Sequence, residues 1–225
     1  MTGGPLYPLS RMTVAPLLRA IWRPNVEGRD NVPRSGGVLI ASNHRSFVDS
    51  VVIPLVAPRK VVFLAKAEYF TGKGPKGIAS RTWFNAMGMI PVERDDSRAA
   101  VNSLDQALRV LREGEAFGIY PEGTRSRDGR LYRGRVGVAH LAMQAGVPVV
   151  PVGLLGTPEV QPIGTNIPRL AKVTVKFGEP LTFGEAYRAM PAGKARRRAT
   201  DEIMAAIAAL SGQERASSYN ERPPG

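Results

Sequence analysis

The chain has 225 residues, 43% of them hydrophobic, with 31 Lys and Arg against 19 Asp and Glu, two His and no Cys. That length and apolar content support one packed domain with small appendages and exclude a disordered chain. The missing cysteines exclude disulfide frameworks, Cys-ligated zinc, iron–sulfur clusters and a thiol nucleophile, while the formal net charge of +12 asks for an anionic neighbour: nucleic acid, an anionic membrane face or a phosphorylated small molecule.

At the N-terminus, Val14, Leu17, Leu18, Ile21 and Trp22 recur at helical i, i+3, i+4 spacing, with Arg11, Arg19 and Arg23 at the margins. Residues 1–35 are therefore expected to form an amphipathic helical region. Such a helix either lies in a membrane interface or packs on its own domain, since amphipathicity serves both. The segment lacks the layout of a secretory signal and is read as part of the mature protein. No run of about 18 uncharged apolar residues occurs, so a bilayer-crossing helix is not expected.

From about residue 36 to residue 158, short β-branched runs alternate with helix-like segments, each bounded by Gly, Pro or Asn, which predicts an α/β core with a mixed, mostly parallel sheet flanked by helices. The expected strands are Gly37–Ser42, Lys60–Ala65, Met89–Val92, Ala116–Tyr120 and Pro148–Leu154, apolar on both faces as buried strands are. The expected helices are Phe47–Val56, Gly77–Met87, Ser97–Arg112 and Val136–Ala145. Residues 159–225 continue the same domain. They hold a long turn-rich loop at Gly156–Leu170, an alternating run at Lys172–Phe177 that reads as an edge strand with one wet face, and a helix at Lys194–Leu210. The run Arg196–Arg198 reads as solvated, and the tail SSYNERPPG has the composition of a frayed end.

Chemistry has few carriers in this chain. His44 follows the first core strand and Asp49 lies five residues on; along a continuous helix that spacing turns through about 500° and separates the two. A helix start at Ser46, in the S-x-x-D form with Asp49 in the first turn, lets the chain bend and brings the carboxylate back to the imidazole. The pair is then either a capping arrangement or a base whose tautomer the carboxylate fixes. After the strand Ala116–Tyr120, the run Pro121-Glu122-Gly123-Thr124-Arg125 places an Arg at a strand end, where α/β sheets bind ligands. Arg125 reads as a fork for phosphate or as a solvated turn residue. Arg94 stands just past another strand end. The chain has no G-x-S-x-G elbow, no phosphate-binding G-x-x-x-x-G-K-[ST] loop and no H-E-x-x-H motif. A lone His base with Arg clamps suits direct transfer of an activated acyl group to a hydroxyl.

Asn43–Asp49 (NHRSFVD) resembles the H-x-x-x-x-D block of the glycerolipid acyltransferase superfamily, in particular the bacterial 1-acyl-glycerol-3-phosphate acyltransferases. Three further blocks of that family follow in order: Gly88–Arg94 (GMIPVER), Phe117–Arg125 (FGIYPEGTR) and Val147–Gly153 (VPVVPVG). Phe63–Tyr69 (FLAKAEY) is similar to the family's lysine-containing strand end.

The resemblance implies transfer of a fatty acyl group from acyl-CoA or acyl-ACP to the free hydroxyl of a lysophospholipid, 1-acyl-glycerol-3-phosphate, with no bound cofactor and no metal. His44 would be the general base, Asp49 its orienter, and Arg94, Glu122, Gly123, Thr124, Arg125 and Lys66 the substrate-binding residues. Backbone N–H groups near Val149–Val152 are the expected oxyanion donors. The implied setting is the cytoplasmic face of the cell membrane, with peripheral or monotopic attachment to an anionic membrane surface. Two other readings stay open: the same chemistry on another lysolipid, glycerol phosphate or a glycolipid, and a basic membrane-surface or nucleic-acid-binding module. A nucleic-acid partner is not expected, since the chain shows no recognition helix or aromatic platform.

Overall fold

The computed structural model describes Pro16 and residues 22–92, 97–165 and 167–221. The central strand β2 (Val38–Ser42) is apolar on both faces and buried at every position. Its side chains alternate between two cores: Val38 and Ile40 enter one, Leu39 and Ala41 the other. Each fully buried Leu or Ile contributes on the order of 1.5–3 kcal/mol relative to exposure, so a strand of this composition has its place at the centre of the sheet.

Around it, β1 (Asn25–Glu27), β3 (Val61–Val62), β6 (Ala116–Ile119), β7 (Val149–Leu155) and β8 (Thr174–Phe177) complete a six-stranded sheet in the order β1-β8-β7-β2-β6-β3. Only the β7–β8 pair is antiparallel. Parallel neighbours need crossovers, and helices supply them. Helix α1 (Asp49–Val56) joins the core holding Val38 and Ile40, while α4 (Ser97–Arg112), α5 (Gly137–Ala145) and α8 (Ala192–Ser211) line the one holding Leu39 and Ala41. The result is a mixed, mostly parallel sheet between two helical layers.

The predicted strand at Lys60–Ala65 is broken in two. After β3 leaves β6, Phe63 intervenes and β4 (Leu64–Lys66) pairs instead with β5 (Ile90–Val92), the Ile90 N–H donating to the Phe63 carbonyl at 2.9 Å. Gly118 in β6 makes room for the Phe63 ring, since a Cβ there would stand 2.1 Å from it. Two helices, α2 (Glu68–Thr71) and α3 (Gly74–Ala86), connect β4 to β5. Helix α3 begins three residues before the expected start at Gly77. A helical turn, α6 (Thr157–Val160), opens the long loop after β7, and α7 (Glu185–Arg188) precedes α8.

Four expectations are corrected. β8 does show one wet face, yet it is not an edge strand, because β1 pairs with it in register Val26↔Val175. The three residues of β1 are too few to carry a period, and they lie in the stretch 1–35 that was expected to be helical. Of that helical pattern, Trp22 is buried in the core that also holds Val32, and Val14, Leu17, Leu18 and Ile21 lie outside the described residues.

The C-terminal tail is not frayed as far as Glu221. Leu131 N–H donates to the Glu214 carbonyl and Ala216 N–H to the Leu131 carbonyl, both at 2.8 Å, and Arg133 N–H donates to the Ser218 carbonyl at 2.9 Å. The Tyr219 ring lies 5.2 Å from the Arg133 guanidinium and 5.6 Å from that of Arg135. Backbone pairing of this kind is indifferent to composition, so the polar tail concealed it. Arg197 is not merely solvated either: it forks onto Asp201 at 2.6 and 3.0 Å and donates to the Gly134 carbonyl at 2.8 Å.

Candidate active site

The site forms where β2 and β6 end. Beyond Ser42 the main chain of β2 turns away from β7, and the Asn43 side chain takes over the ladder. Its amide donates to the Leu154 carbonyl at 2.9 Å and its oxygen accepts from the Leu154 N–H at 2.8 Å. The main chain is thereby free to present His44 at the sheet edge.

Asp49 then folds back as the S-x-x-D pattern predicts. Its Oδ2 accepts from Arg45 N–H at 2.7 Å and from Ser46 N–H at 2.8 Å, and it lies 2.8 Å from His44 Nδ1. The Ser46 hydroxyl accepts from Val48 N–H at 3.3 Å, so residues 47 and 48 form a turn and the regular helix opens at Asp49. Tying down the turn before the helix and orienting the imidazole are the work of one carboxylate, while the helix N-cap itself falls at Val48 and not at Ser46. Asp49 is fully buried and its Oδ2 already accepts from two backbone N–H groups, so Nδ1 is the donor to it and Nε2 carries the basic lone pair. The imidazole remains 17% exposed, enough for a reactant to reach it.

The ring is held on its face as well as its edge. Tyr120 stacks on His44 with centroids 3.8 Å apart and planes 8° from parallel, and Phe63 backs Tyr120 at 5.4 Å. The Tyr120 hydroxyl pairs with Ser50 Oγ at 2.8 Å. Burial, with the Asp49 charge adding to it, pushes that phenol well above its ordinary range, so it stays neutral. Gly118, Phe63 and Tyr120 thus form a column ending in the imidazole.

The Pro121–Arg125 turn is sewn to this strand end. Glu122 is fully buried and accepts from His44 N–H at 3.1 Å and from Tyr132 N–H at 3.0 Å, while Ser126 N–H donates to the His44 carbonyl at 2.8 Å. Burial pushes the Glu122 carboxyl up to about 7, against the pull of both N–H groups. The structure therefore places Glu122 beneath the His44 loop, where it grips backbone. Gly123 has φ of 81°, and a Cβ there would lie 2.8 Å from Arg135 Nε. Thr124 is half-buried and its carbonyl accepts from Asn220 at 3.4 Å.

Arg125, adjacent to Ser126, is exposed and bonds to no described residue. Lys66 ends β4, 45% exposed, with Glu68 at a loose 3.8 Å. In register it faces Val92 across the small sheet. Arg94 lies outside the described residues. The oxyanion donors expected at Val149–Val152 are corrected: β7 is paired with β2 on one side and β8 on the other, Val149 N–H donates to the Leu181 carbonyl past the end of β8 at 2.9 Å, and Pro151 has no N–H. Sequence reasoning also missed Asn43, Ser50, Phe63 and Tyr120 as supports of His44. The aromatic residue directly before Pro121 was the available signal. Among the described residues no cluster of three His, Asp or Glu side chains could hold a metal ion, and no helix is long and apolar enough to cross a membrane.

A carboxylate-locked imidazole thus stands at the end of a parallel strand, and the comparison with known families says what kind of protein carries it. The chain belongs to the acyltransferase family: the model described as Acyltransferase matches residues 23–155, more than half of the chain, including every element that carries His44, Asp49 and the Pro121–Arg125 turn. It is similar to the 1-acyl-sn-glycerol-3-phosphate acyltransferase of Bacillus subtilis (strain 168), 30% identical over 158 residues, which are 69% of this chain and 72% of that protein. The chloroplastic 1-acyl-sn-glycerol-3-phosphate acyltransferase of Arabidopsis thaliana is 34% identical over 147 residues, 64% of this chain and 39% of that one. The chain spans 39–48% of the length of this and two further plant relatives. The fold matches the crystal structure of the 1-acyl-sn-glycerophosphate acyltransferase PlsC of Thermotoga maritima with a TM-score of 0.67 at 24% identity, over 90% of this chain and 80% of that one.

Proposed function

We propose that the chain transfers a fatty acyl group from a coenzyme A or acyl-carrier-protein thioester to the free hydroxyl of 1-acyl-sn-glycerol-3-phosphate, forming phosphatidate. The observation that carries this is the His44–Asp49 contact, which leaves Nε2 as a base at an accessible strand end. Nε2 takes the acceptor's hydroxyl proton as the oxygen attacks the thioester carbonyl. The C–S bond breaks as the tetrahedral intermediate collapses, and the imidazolium returns its proton to the departing thiolate. No acyl-enzyme forms, in keeping with a chain that has no cysteine and no serine elbow. Asp49 stabilises the imidazolium electrostatically throughout.

Arg125, with Lys66 and Arg94 in the same role, binds the acceptor phosphate; an exposed guanidinium one residue before Ser126, whose N–H bonds the His44 carbonyl, suits a planar bidentate contact. The names of the relatives support a phosphorylated glycerol as acceptor. The enzyme works at the cytoplasmic face of the cell membrane as a peripheral protein, a reading supported by its positive charge and by exposed Tyr69 and Ile78 beside Lys73, Lys76 and Arg81. Replacing His44 with Ala should lower acyl transfer by about 10²–10⁴-fold in a chain that still folds, with some loss of thermal stability because buried Asp49 gives up one of its donors. A labelled acyl thioester offered to a panel of lysolipids reads the acceptor directly, and transfer to a glycolipid alone would overturn phosphatidate as the product.

A further inference from the structure

The loop after α6 carries a feature that the proposed chemistry does not use. Ile167 and Leu170 are each 79% exposed, in a chain that buries Leu39 and Ile40 completely. Arg169 and Lys172 alternate with them and are exposed as well. Single exposed apolar residues are ordinary; two large ones at the tip of one loop, interleaved with cations, are the composition of an interfacial contact.

The loop is braced. Gln161 Nε2 donates to the Thr165 carbonyl at 2.9 Å, Thr165 Oγ1 to the Pro162 carbonyl at 2.8 Å, and Arg169 N–H to the Val160 carbonyl at 2.7 Å. It is also fastened to the active site, because the Ser46 hydroxyl donates to the Gln161 carbonyl at 2.8 Å. Since β7 runs parallel to β2, the loop leaves the sheet at the end where His44 stands. The α2–α3 connection leaves β4 on the other side of His44, beyond β6 and β3, with Ile78 55% exposed.

We infer that the 161–172 loop is an interfacial anchor for an anionic phospholipid bilayer: Ile167 and Leu170 enter the boundary between headgroups and acyl chains, and Arg169 and Lys172 meet lipid phosphates. This rests on the lysolipid acyltransferase reading, which requires the base to meet an acceptor embedded in a lipid surface. The Ser46–Gln161 bond couples anchor to base, so the loop sets the height of His44 above the bilayer. A bilayer is favoured over a protein partner because the two side chains project from a loop tip, whereas protein hot spots sit in pockets ringed by neighbouring contacts.

The absence of cysteine makes the test clean. The full chain carrying Leu170→Cys is labelled with an environment-sensitive fluorophore and mixed with phosphatidylcholine vesicles containing phosphatidylglycerol. Emission should rise and shift to the blue, while the same label at Glu179→Cys, exposed near the opposite end of the sheet, should not respond. Vesicle partitioning of unlabelled Ile167→Ser/Leu170→Ser should fall at least about tenfold with unfolding temperature unchanged. Arg169→Gln and Lys172→Gln should each weaken binding about fivefold on anionic vesicles and little on neutral ones. Binding of the chain with the Leu170 label still in water overturns the inference, as does a shift produced by acyl carrier protein and by no vesicle. Acyl transfer measured in parallel on a short-chain, monomeric lysophosphatidate separates the two readings. Its absence in the unmodified chain would sink the reaction and leave the anchor standing; its presence with an unresponsive label would do the reverse.

Discussion

The floor of the candidate site and its mouth are built on opposite terms. In the floor, Asp49 and Glu122 are fully buried and grip five N–H groups between them: Arg45, Ser46 and the imidazole through one, His44 and Tyr132 through the other. At the mouth that the proposed function assigns to them, Arg125 is exposed and Lys66 about half-exposed, with a loose partner or none among the described residues. A buried carboxylate that loses a donor bears the full desolvation cost, whereas an exposed cation costs the fold nothing to keep or remove. The floor therefore fixes geometry, and on the proposed function the exposed cations are left to supply affinity.

That contrast is open to attack at four points. Asp49→Asn should produce the largest effect, because an amide cannot stabilise the imidazolium: transfer falls by on the order of 10²–10⁴-fold in kcat, with a loss of stability from the weakened helix start. An unchanged kcat would mean that the carboxylate only caps. Arg125→Ala should raise KM for the phosphorylated acceptor about 10–100-fold, the range of one charge-assisted contact, and leave the melting temperature alone. A rise confined to the thioester's KM would move Arg125 to the donor's phosphates.

Gly118→Ala tests the aromatic column at a distance from both. The added methyl meets the Phe63 ring, so about 1–3 kcal/mol of stability and roughly tenfold in kcat should be lost together as Tyr120 and His44 shift. Phe63→Leu in the same chain should restore part of the stability and not the rate, since the stack is gone.

The smallest effect on rate belongs to Glu122→Gln, whose signature is in pH. The Glu122 carboxyl is raised from 4.5 to about 7 on folding. Protonation thus favours the folded state: this contribution, on the order of 3 kcal/mol, is fully present below pH 4.5 and is lost as pH rises through 7. Melting curves between pH 5 and 8 should flatten in the Gln variant relative to wild type. A stability that instead rises across that window because of Glu122 would contradict its buried placement.

The contrast also explains what the sequence made legible. The core strands β2, β6 and β7 and the longer helices were readable because burial leaves an apolar pattern, as Ser97–Arg112 shows by matching α4 from end to end. The bend at Ser46 was readable because capping has a local code. What stayed hidden was held by backbone or by shape: β1 with three residues, the 214–218 tail paired to 131–133, and the place of Glu122 beneath His44 instead of facing a ligand. The VPVVPVG block suggested oxyanion donors, and only the pairing of β7 on both sides shows its backbone already committed. Polar residues at a site announce themselves as a group, but whether each points up or down is decided by contacts far apart in the chain.

Asn43 bears on how such a site could be moved. One amide side chain imitates a ladder step for Leu154, giving and receiving a bond where main chain would otherwise continue. Anyone transplanting the histidine and aspartate to another parallel sheet would need this third residue, and Asp would not serve, since a carboxylate has no hydrogen to offer the carbonyl. The graft's smallest portable unit is the tripartite strand ending, and its donor strand must have a neighbour that runs one step further.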